Sequence, residues 1–345
     1  MTPETHAPSA SEAAAATTTQ LARLNLVQAI NQALEQELAR DANVLLLGED
    51  IGRGGGVFRV TEGLLAKFGP DRVMDTPLAE SGGVGLGIGL ALAGFRPVVE
   101  IQFMGFIYPA VNQLFAHAAR YRNRTRGRYP VPMVVRTPYG GGIHPPEHHS
   151  ESYEAMLANT PGLKVVVPSN PYDAKGLLVA AIRDPDPVVF LEPTRLYRAF
   201  RQEVPAASYE VPLGAAKVAR SGTDVTVIAW GSMMQEALKA AEAAGLEGIS
   251  VEVVDLRSIV PMDTATVLTS VARTGRAVVV HEAPRTCGLG AELVAQINEH
   301  VLLDLLAPVE RVTGFDTVFP GAPLENHYLP SVERVLAAVR RTLEE

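Results

Sequence analysis

Short runs of Val, Ile and Leu recur along this chain with helix-length amphipathic segments between them, and that alternation narrows the possible folds more than any other feature. Val27, Ile30, Leu34 and Leu38 repeat at helical spacing, and Val44-Leu45-Leu46-Leu47 follows, bounded by Gly48: helix, then buried strand. Further strand-like runs stand at Val98 to Phe103, Met133 to Arg136, Leu163 to Val167 and Val188 to Leu191, separated by segments such as Pro109 to Arg120 and Ala174 to Arg183. A strand apolar on both faces must be covered on both, and helices between successive strands provide the cover. The pattern therefore predicts a mainly parallel, doubly wound sheet.

From Glu192 to Pro212 the periodicity fails amid Pro193, Pro205, Pro212 and mixed charges, which marks a domain boundary. A second α/β pattern then begins. Its strands are predicted at Val225 to Ala229, Val251 to Val254, Ala277 to Val280 and Val309 to Val312, and its helices at Met233 to Ala244, Thr264 to Val271, Ala291 to Val301 and Ser331 to Leu343. The predicted class is α/β with two open doubly wound sheets: a first domain over 21–204, a linker over 205–213 and a second domain over 214–345. A chain of 345 residues is long enough to bury a core in each. Ligands of such sheets bind beyond the carboxyl ends of the strands, so chemistry is sought in those loops.

Several function classes are disfavoured. Residues 1–20 carry no Lys or Arg and are rich in Ala, Thr, Ser and Pro, which reads as a disordered tail and not as a targeting signal. The longest uncharged apolar stretch, Gly82 to Phe95, is shorter than the roughly 18 residues of a membrane span, so none is expected. A net charge of -8 argues against a nucleic-acid partner. The single cysteine, Cys287, can form neither a disulfide within the chain nor a multi-thiolate metal site, and fits a reducing cytoplasm. No G-x-x-x-x-G-K-[ST] or G-x-S-x-G motif is present, and Gly83, Gly85, Gly87 and Gly89 lack dinucleotide-binding spacing. His144-Pro145-Pro146-Glu147-His148 spells a zinc-protease pattern, but that chemistry needs both histidines on one helix face and adjacent prolines oppose the helix.

Three segments could carry chemistry. Asp75 to Gly83 sits where a strand ends and a glycine-rich helix starts, which puts Glu80 and Ser81 at a helix N-terminus, either as a simple cap or as a functional acid. The glycines that follow weaken a helix interior, so close backbone approach is expected along that face. Phe103, Phe106 and Tyr108 follow a strand and read as core or as a stacking platform. Gly140-Gly141-Gly142 leads to His144 and to His148-His149-Ser150-Glu151, a polar loop that is either solvent-facing or a carrier of acids and bases.

Leu47-Gly48-Glu49-Asp50, the Asp75 to Gly82 segment, Glu100-Ile101-Gln102-Phe103 and Pro161 to Leu178 together resemble the beta subunit of the decarboxylase component of 2-oxo acid dehydrogenase complexes. The resemblance continues through Phe190-Leu191-Glu192-Pro193, Val254-Asp255-Leu256-Arg257, His281-Glu282-Ala283-Pro284 and Gly314-Phe315-Asp316-Thr317, and so spans nearly everything after the tail. It implies a transketolase-like pyrimidine-binding domain followed by a transketolase C-terminal-like domain, in an alpha2-beta2 heterotetramer that shares thiamine diphosphate between subunits. It further implies that magnesium and the diphosphate are held on the alpha chain by a G-D-G motif ending in paired asparagines. This sequence has neither G-D-G nor N-N, as a beta subunit would not, and the chain is expected to be inactive alone.

Carried over residue by residue, the resemblance makes Glu80 the acid that hydrogen-bonds N1′ of the aminopyrimidine, Phe106 the aromatic ring stacked on it, and Leu78 a lining residue. His149 becomes the histidine facing substrate and the lipoyl group, with His148 its neighbour. Glu49 becomes an acid placed behind Glu80, or a buried structural carboxylate. Loop carbonyls at Ala181, Asp184 and Asp186 correspond to a structural potassium site in relatives. Where some members carry carboxylates just after the stacking aromatic, this chain has Pro109 and Asn112. The implied reaction is decarboxylation of a 2-oxo acid and transfer of its acyl group to a lipoyl acyltransferase core docked on the C-terminal domain. The His281 to Pro284 motif is more similar to branched-chain members and Gly141 to His149 to pyruvate-type ones; branched-chain 2-oxo acids are the favoured expectation. An acetoin dehydrogenase or transketolase relative, and a scaffold subunit without catalysis, are the alternatives.

Overall fold

The computed structural model describes residues 20–344; the tail expected over residues 1–20 lies, Gln20 apart, outside the described residues. The first unit runs β1 (Leu21–Leu24), α1 (Leu26–Arg40), β2 (Val44–Gly48), α2 (Leu64–Phe68), β3 (Val73–Asp75), α3 (Glu80–Leu92), β4 (Arg96–Glu100), α4 (Tyr108–Asn112), α5 (Ala119–Arg124), β5 (Val134–Tyr139), α6 (Glu154–Ala158), β6 (Lys164–Val166), α7 (Pro171–Arg183), β7 (Val188–Pro193) and β8 (Gln202–Pro205). The second runs β9 (Lys217–Arg220), β10 (Val225–Ala229), α8 (Met233–Leu246), β11 (Val251–Asp255), β12 (Ser258–Val260), α9 (Thr264–Thr274), β13 (Ala277–Val280), α10 (Leu289–Val301), β14 (Glu310–Val312), α11 (Ala322–Tyr328) and α12 (Val332–Glu344).

The larger sheet has the order β12-β6-β7-β5-β4-β2-β3. Its six strands from the first unit are parallel, as their double-sided burial requires. The smaller sheet, β14-β13-β10-β11-β9, is parallel except for β9. The chain thus has the expected two open α/β sheets. Four antiparallel strands have no counterpart in the sequence pattern: β1 and β8, which pair with each other, and the edge strands β9 and β12. Each is short, and β1 and β9 are largely exposed, so none carries the apolar run that marks the central strands. Strand β12 belongs to the second unit yet pairs with β6, covering an edge that would otherwise stand open.

The segment expected as one helix over Pro109 to Arg120 is α4, a π-helical stretch over Gln113–Ala118, and α5, a wide turn inserted where the chain passes the site. In α3, Gly87 lies against the sheet: a Cβ there would stand 2.8 Å from Val99 Cγ2 and 3.0 Å from the Met133 side chain. Close packing on β4 accounts for that glycine. Gly89 has open space around it, so the outward face of α3 is small and bare.

The segment between the units is pinned. The buried Lys175 ammonium on α7 donates to the carbonyls of Pro205 at 2.6 Å and Ala207 at 2.8 Å and to Gln32 Oε1 at 2.8 Å. Burial pushes its pKa down to about 8. Further along the interface, Trp230 Nε1 donates to Glu154 Oε1 at 3.2 Å, while Glu154 Oε2 is buried without a partner. Burial drives the Glu154 pKa from 4.5 up to about 7.

Because the fold raises that pKa, the protonated acid is the favoured native form, and its stabilising contribution is lost as pH climbs through about 7. Glu154→Gln stays neutral at every pH. Urea unfolding is expected to show the variant gaining on the wild type from pH 5 to pH 8, approaching about 3 kcal/mol. A gap that does not change with pH would refute the assignment.

Candidate functional site

Strands β3, β2, β4 and β5 end side by side at one edge of the larger sheet, and every candidate catalytic segment leaves from that edge. Glu49 follows β2, Leu78 and Glu80 follow β3, Phe106 follows β4, and His148 and His149 follow β5.

Glu80 is the first residue of α3, and the preceding Ala79 offers no side-chain cap. Its carboxylate therefore stands at the positive end of the helix dipole. Glu49 accepts the Ala79 N–H, and its pKa is raised first by burial, then by the charge of Glu80. Two acids thus share one helix start, and Glu49 is the one that holds a proton more readily than usual. Leu78, two residues before Glu80, is 80% exposed. Gln113 Nε2 donates to Ser81 Oγ at 3.4 Å, tying the start of α3 to the segment after Phe106.

The histidines enter from the other side. His149 packs edge-on against Phe103, with ring centroids 4.6 Å apart, and against Phe106 at 5.1 Å. Its Nδ1 lies 2.9 Å from the Glu147 carbonyl, and since a carbonyl only accepts, Nδ1 donates and Nε2 is the basic nitrogen. His148 stacks on Tyr108 at 6.0 Å and sits 3.8 Å from the Glu151 carboxylate. His144 and His148 have φ of 54° and 71°, so no helix aligns the His144 to His148 motif.

Two features have no clear mark in the sequence pattern. Gly105 touches the histidine loop so closely that a Cβ would lie 2.0 Å from the His148 carbonyl oxygen; the signal was a glycine set between Phe103 and Phe106. Beneath the loops, Arg136 on β5 forms a bidentate pair with Glu192 on β7, Nε–Oε1 2.6 Å and Nη2–Oε2 2.8 Å, and a further ion pair with Glu100 on β4. Tyr197 Oη donates to Glu192 Oε2 at 2.6 Å. Burial disfavours the Arg136 charge, but the two carboxylates outweigh it and hold its pKa above the ordinary value. A lone charge near the carboxyl end of each of three apolar strands was the available signal.

Ala181, Asp184 and Asp186 are not part of this site; they precede β7, at the opposite edge of the sheet. There the carbonyls of Ile182 and Asp184 accept from Arg96 Nη1 at 2.9 and 3.2 Å, and Lys164 Nζ pairs with the Asp184 carboxylate at 2.6 Å. The Ala181 carbonyl accepts the Asp184 N–H at 3.3 Å. Each of the Asp184 and Ala181 carbonyls accepts a hydrogen bond here, and a carbonyl oxygen has a second acceptor site, so the loop keeps oxygen atoms of the kind a potassium ion takes.

At the carboxyl edge, an acid at a helix start, a partly open phenylalanine ring and an exposed leucine fit one end of an aminopyrimidine cofactor. Among the described residues, no group of three or more His, Cys, Asp or Glu side chains is placed to hold a metal ion.

Comparison with known proteins shows the family. Residues 22–199 match the transketolase pyrimidine-binding domain and residues 214–335 the transketolase C-terminal domain. Over 324 residues, 94% of this chain and 100% of the relative, the chain is 54% identical to the Bacillus subtilis pyruvate dehydrogenase E1 component subunit beta. It is 52% identical, with the same coverage, to the subunit of that name from Staphylococcus epidermidis, and 53% identical to that of Acholeplasma laidlawii over 93% of this chain and 98% of the relative. A solved split-gene transketolase, an inactive beta4 tetramer, superposes with a TM-score of 0.75 at 23% identity, covering 94% of this chain and 99% of that one, a likeness of fold. No helix among the described residues is long and apolar enough to cross a membrane.

Gly105→Ala tests the packing of the histidine loop. The added methyl should cost about 1–3 kcal/mol in chemical unfolding and shift the His148 and His149 ring signals in NMR. Unchanged signals would show that the loop does not depend on this contact.

Proposed function

The chain belongs to the transketolase-like family of 2-oxo acid dehydrogenase E1 beta subunits, and from that premise we propose that it acts on pyruvate, in a site it completes only with an alpha subunit. The observation that carries the proposal is the paired Glu49 and Glu80 at one helix start, on the same sheet edge as the Phe106 and His149 cluster. The names of relatives at 52–54% identity support pyruvate. They do not support the branched-chain expectation drawn from the His281 to Pro284 motif.

In this reading, thiamine diphosphate, when bound, supplies the electron sink that lets a 2-oxo acid lose carbon dioxide. Glu80 exchanges a proton with N1′ of the aminopyrimidine, and Glu49, whose raised pKa suits it to keep a proton, stands behind it as the reserve. The Phe106 ring would cover the aminopyrimidine face, and Leu78 would close its side. His149, with Nε2 basic, faces substrate and moves or stabilises charge as the acyl group passes to the lipoyl chain. Magnesium and the diphosphate fall to the alpha chain. The exposed Leu78 and Leu86 and the bare face of α3 form part of the surface that chain covers in a heterotetramer, while the C-terminal domain meets the acyltransferase core. The division into 21–204, the linker 205–213 and 214–345 is part of the same proposal, as is a cytoplasmic location.

The test is reduction of an artificial electron acceptor by this chain paired with an alpha subunit, with each chain alone as control. The pair alone should be active, with kcat/KM for pyruvate exceeding that for 3-methyl-2-oxobutanoate by about tenfold or more. The reverse ranking would restore branched-chain acids. Glu80→Gln should leave assembly intact and lower kcat by about 10²- to 10⁴-fold; full activity would remove Glu80 from the mechanism.

A further inference from the structure

Three consecutive glycines usually make a loose hinge. Gly140-Gly141-Gly142 is instead wedged in a tight seat made largely by the second unit. A Cβ would lie 2.4 Å from Glu282 Oε1 at Gly140, 2.4 Å from Phe319 Cζ at Gly141 and 2.6 Å from Arg195 Cδ at Gly142. Gly140 and Gly142 also have φ of 79° and 103°, which other residues rarely adopt.

The backbone is held as firmly. Gly141 N–H donates to Glu282 Oε2 at 3.0 Å, and the other carboxylate oxygen of Glu282 accepts from Ser232 Oγ at 2.9 Å. Gly142 N–H donates to Glu325 Oε1, and Thr194 Oγ1 donates to the Gly140 carbonyl at 3.0 Å. Gly140 N–H donates to the Glu151 carbonyl at 3.0 Å, closing the loop that carries His148 and His149. Glu282, two residues beyond the end of β13, and Glu325, on α11, are both nearly inaccessible to solvent. Two buried carboxylates from one unit are thus bound to consecutive amides of a loop from the other. Burying such groups is costly, and the partners they have found are the ends of a strap leading to His149.

We propose that Glu282 and Glu325 are positioning residues for His149: through the Gly140 to Gly142 strap, the C-terminal unit sets where the active-site histidine stands. The assignment rests on the reading of His149 as part of the reactive site. It also gives the C-terminal unit a part in the reaction, since whatever displaces β13 or α11 moves the loop that faces substrate.

Glu282→Ala and Glu325→Ala remove the amide partners, whereas Glu282→Gln and Glu325→Gln keep an accepting oxygen. In the paired enzyme each alanine variant should lose about 10- to 100-fold in kcat, since a small misplacement of a catalytic group costs on that order. The glutamine variants should recover most of it. In a His149→Ala background the same alanine changes should cost less than about threefold, because a group already removed cannot be misplaced. In parallel, hydrogen exchange of the full-length chain should rise over 140–151 in the alanine variants and stay unchanged in β2, β4 and β7. Losses that multiply with His149→Ala, or unaltered exchange over 140–151, would overturn the proposal. If the wild-type pair turns over no 2-oxo acid, the functional reading fails while exchange still decides the strap. If one alanine variant does not fold, the other carries both measurements.

Discussion

Arg136 is the side chain on which the carboxyl edge of the larger sheet depends. It lies wholly inside the protein between Glu100 and Glu192, so the ends of β4, β5 and β7 are joined by charge as well as by backbone hydrogen bonds. Removing one partner of such a buried set typically costs about 3–5 kcal/mol, because the charge left behind has no water to turn to. The cluster also shapes what stands above it. Glu100 packs on Gly48 and Gly56, which sets the glycine-rich loop after β2, and Phe58 from that loop meets Phe103 at 5.4 Å and Tyr197 at 4.9 Å. The aromatic wall against which Phe106 and His149 rest is thus built outward from an ionic foundation.

A second constraint is that the two units do not stand apart. Strand β12 completes the sheet of the first unit. Arg257 pairs with Asp173 at 3.0 Å, Ser169 donates to Asp255, and Trp230 donates to Glu154 across the same interface. Burial pushes the Asp255 pKa up to about 7, as it does that of Glu154. These polar contacts are specific in direction and fix the second unit against the carboxyl side of the first, where Glu282 and Glu325 reach the histidine loop. A domain remote in sequence is thereby built onto the carboxyl edge of the larger sheet.

Much of this architecture is legible in the amino-acid sequence. The central strands announce themselves because burial on both faces demands unbroken apolar runs, and α1 and α8 because one buried face demands a 3.6-residue period, whereas α7 is buried nearly all round. Glu80 at a helix start follows from Asp75 to Gly83 alone. The motifs that identify the family lie in these same segments, since the loops leaving a strand inherit its position.

Other features depend on partners far apart in the chain, and no local pattern encodes them. A single Arg, Glu or Gly in a strand or loop is chemically ambiguous until its neighbour is known: Arg136 needs Glu192, Gly105 needs the His148 carbonyl, and Gly141 needs Glu282. Short edge strands such as β9 and β12 lack a buried run, so only the strand they pair with reveals them. Sequence by itself determined the α/β class, the two sheets and the family, because those rest on periodicity and on short contiguous motifs. Tertiary structure decided how Glu49 meets Glu80, how His149 meets Phe106, and how the second unit grips the first, because hydrogen bonds and charge pairs act over a few ångströms in space whatever the distance along the chain.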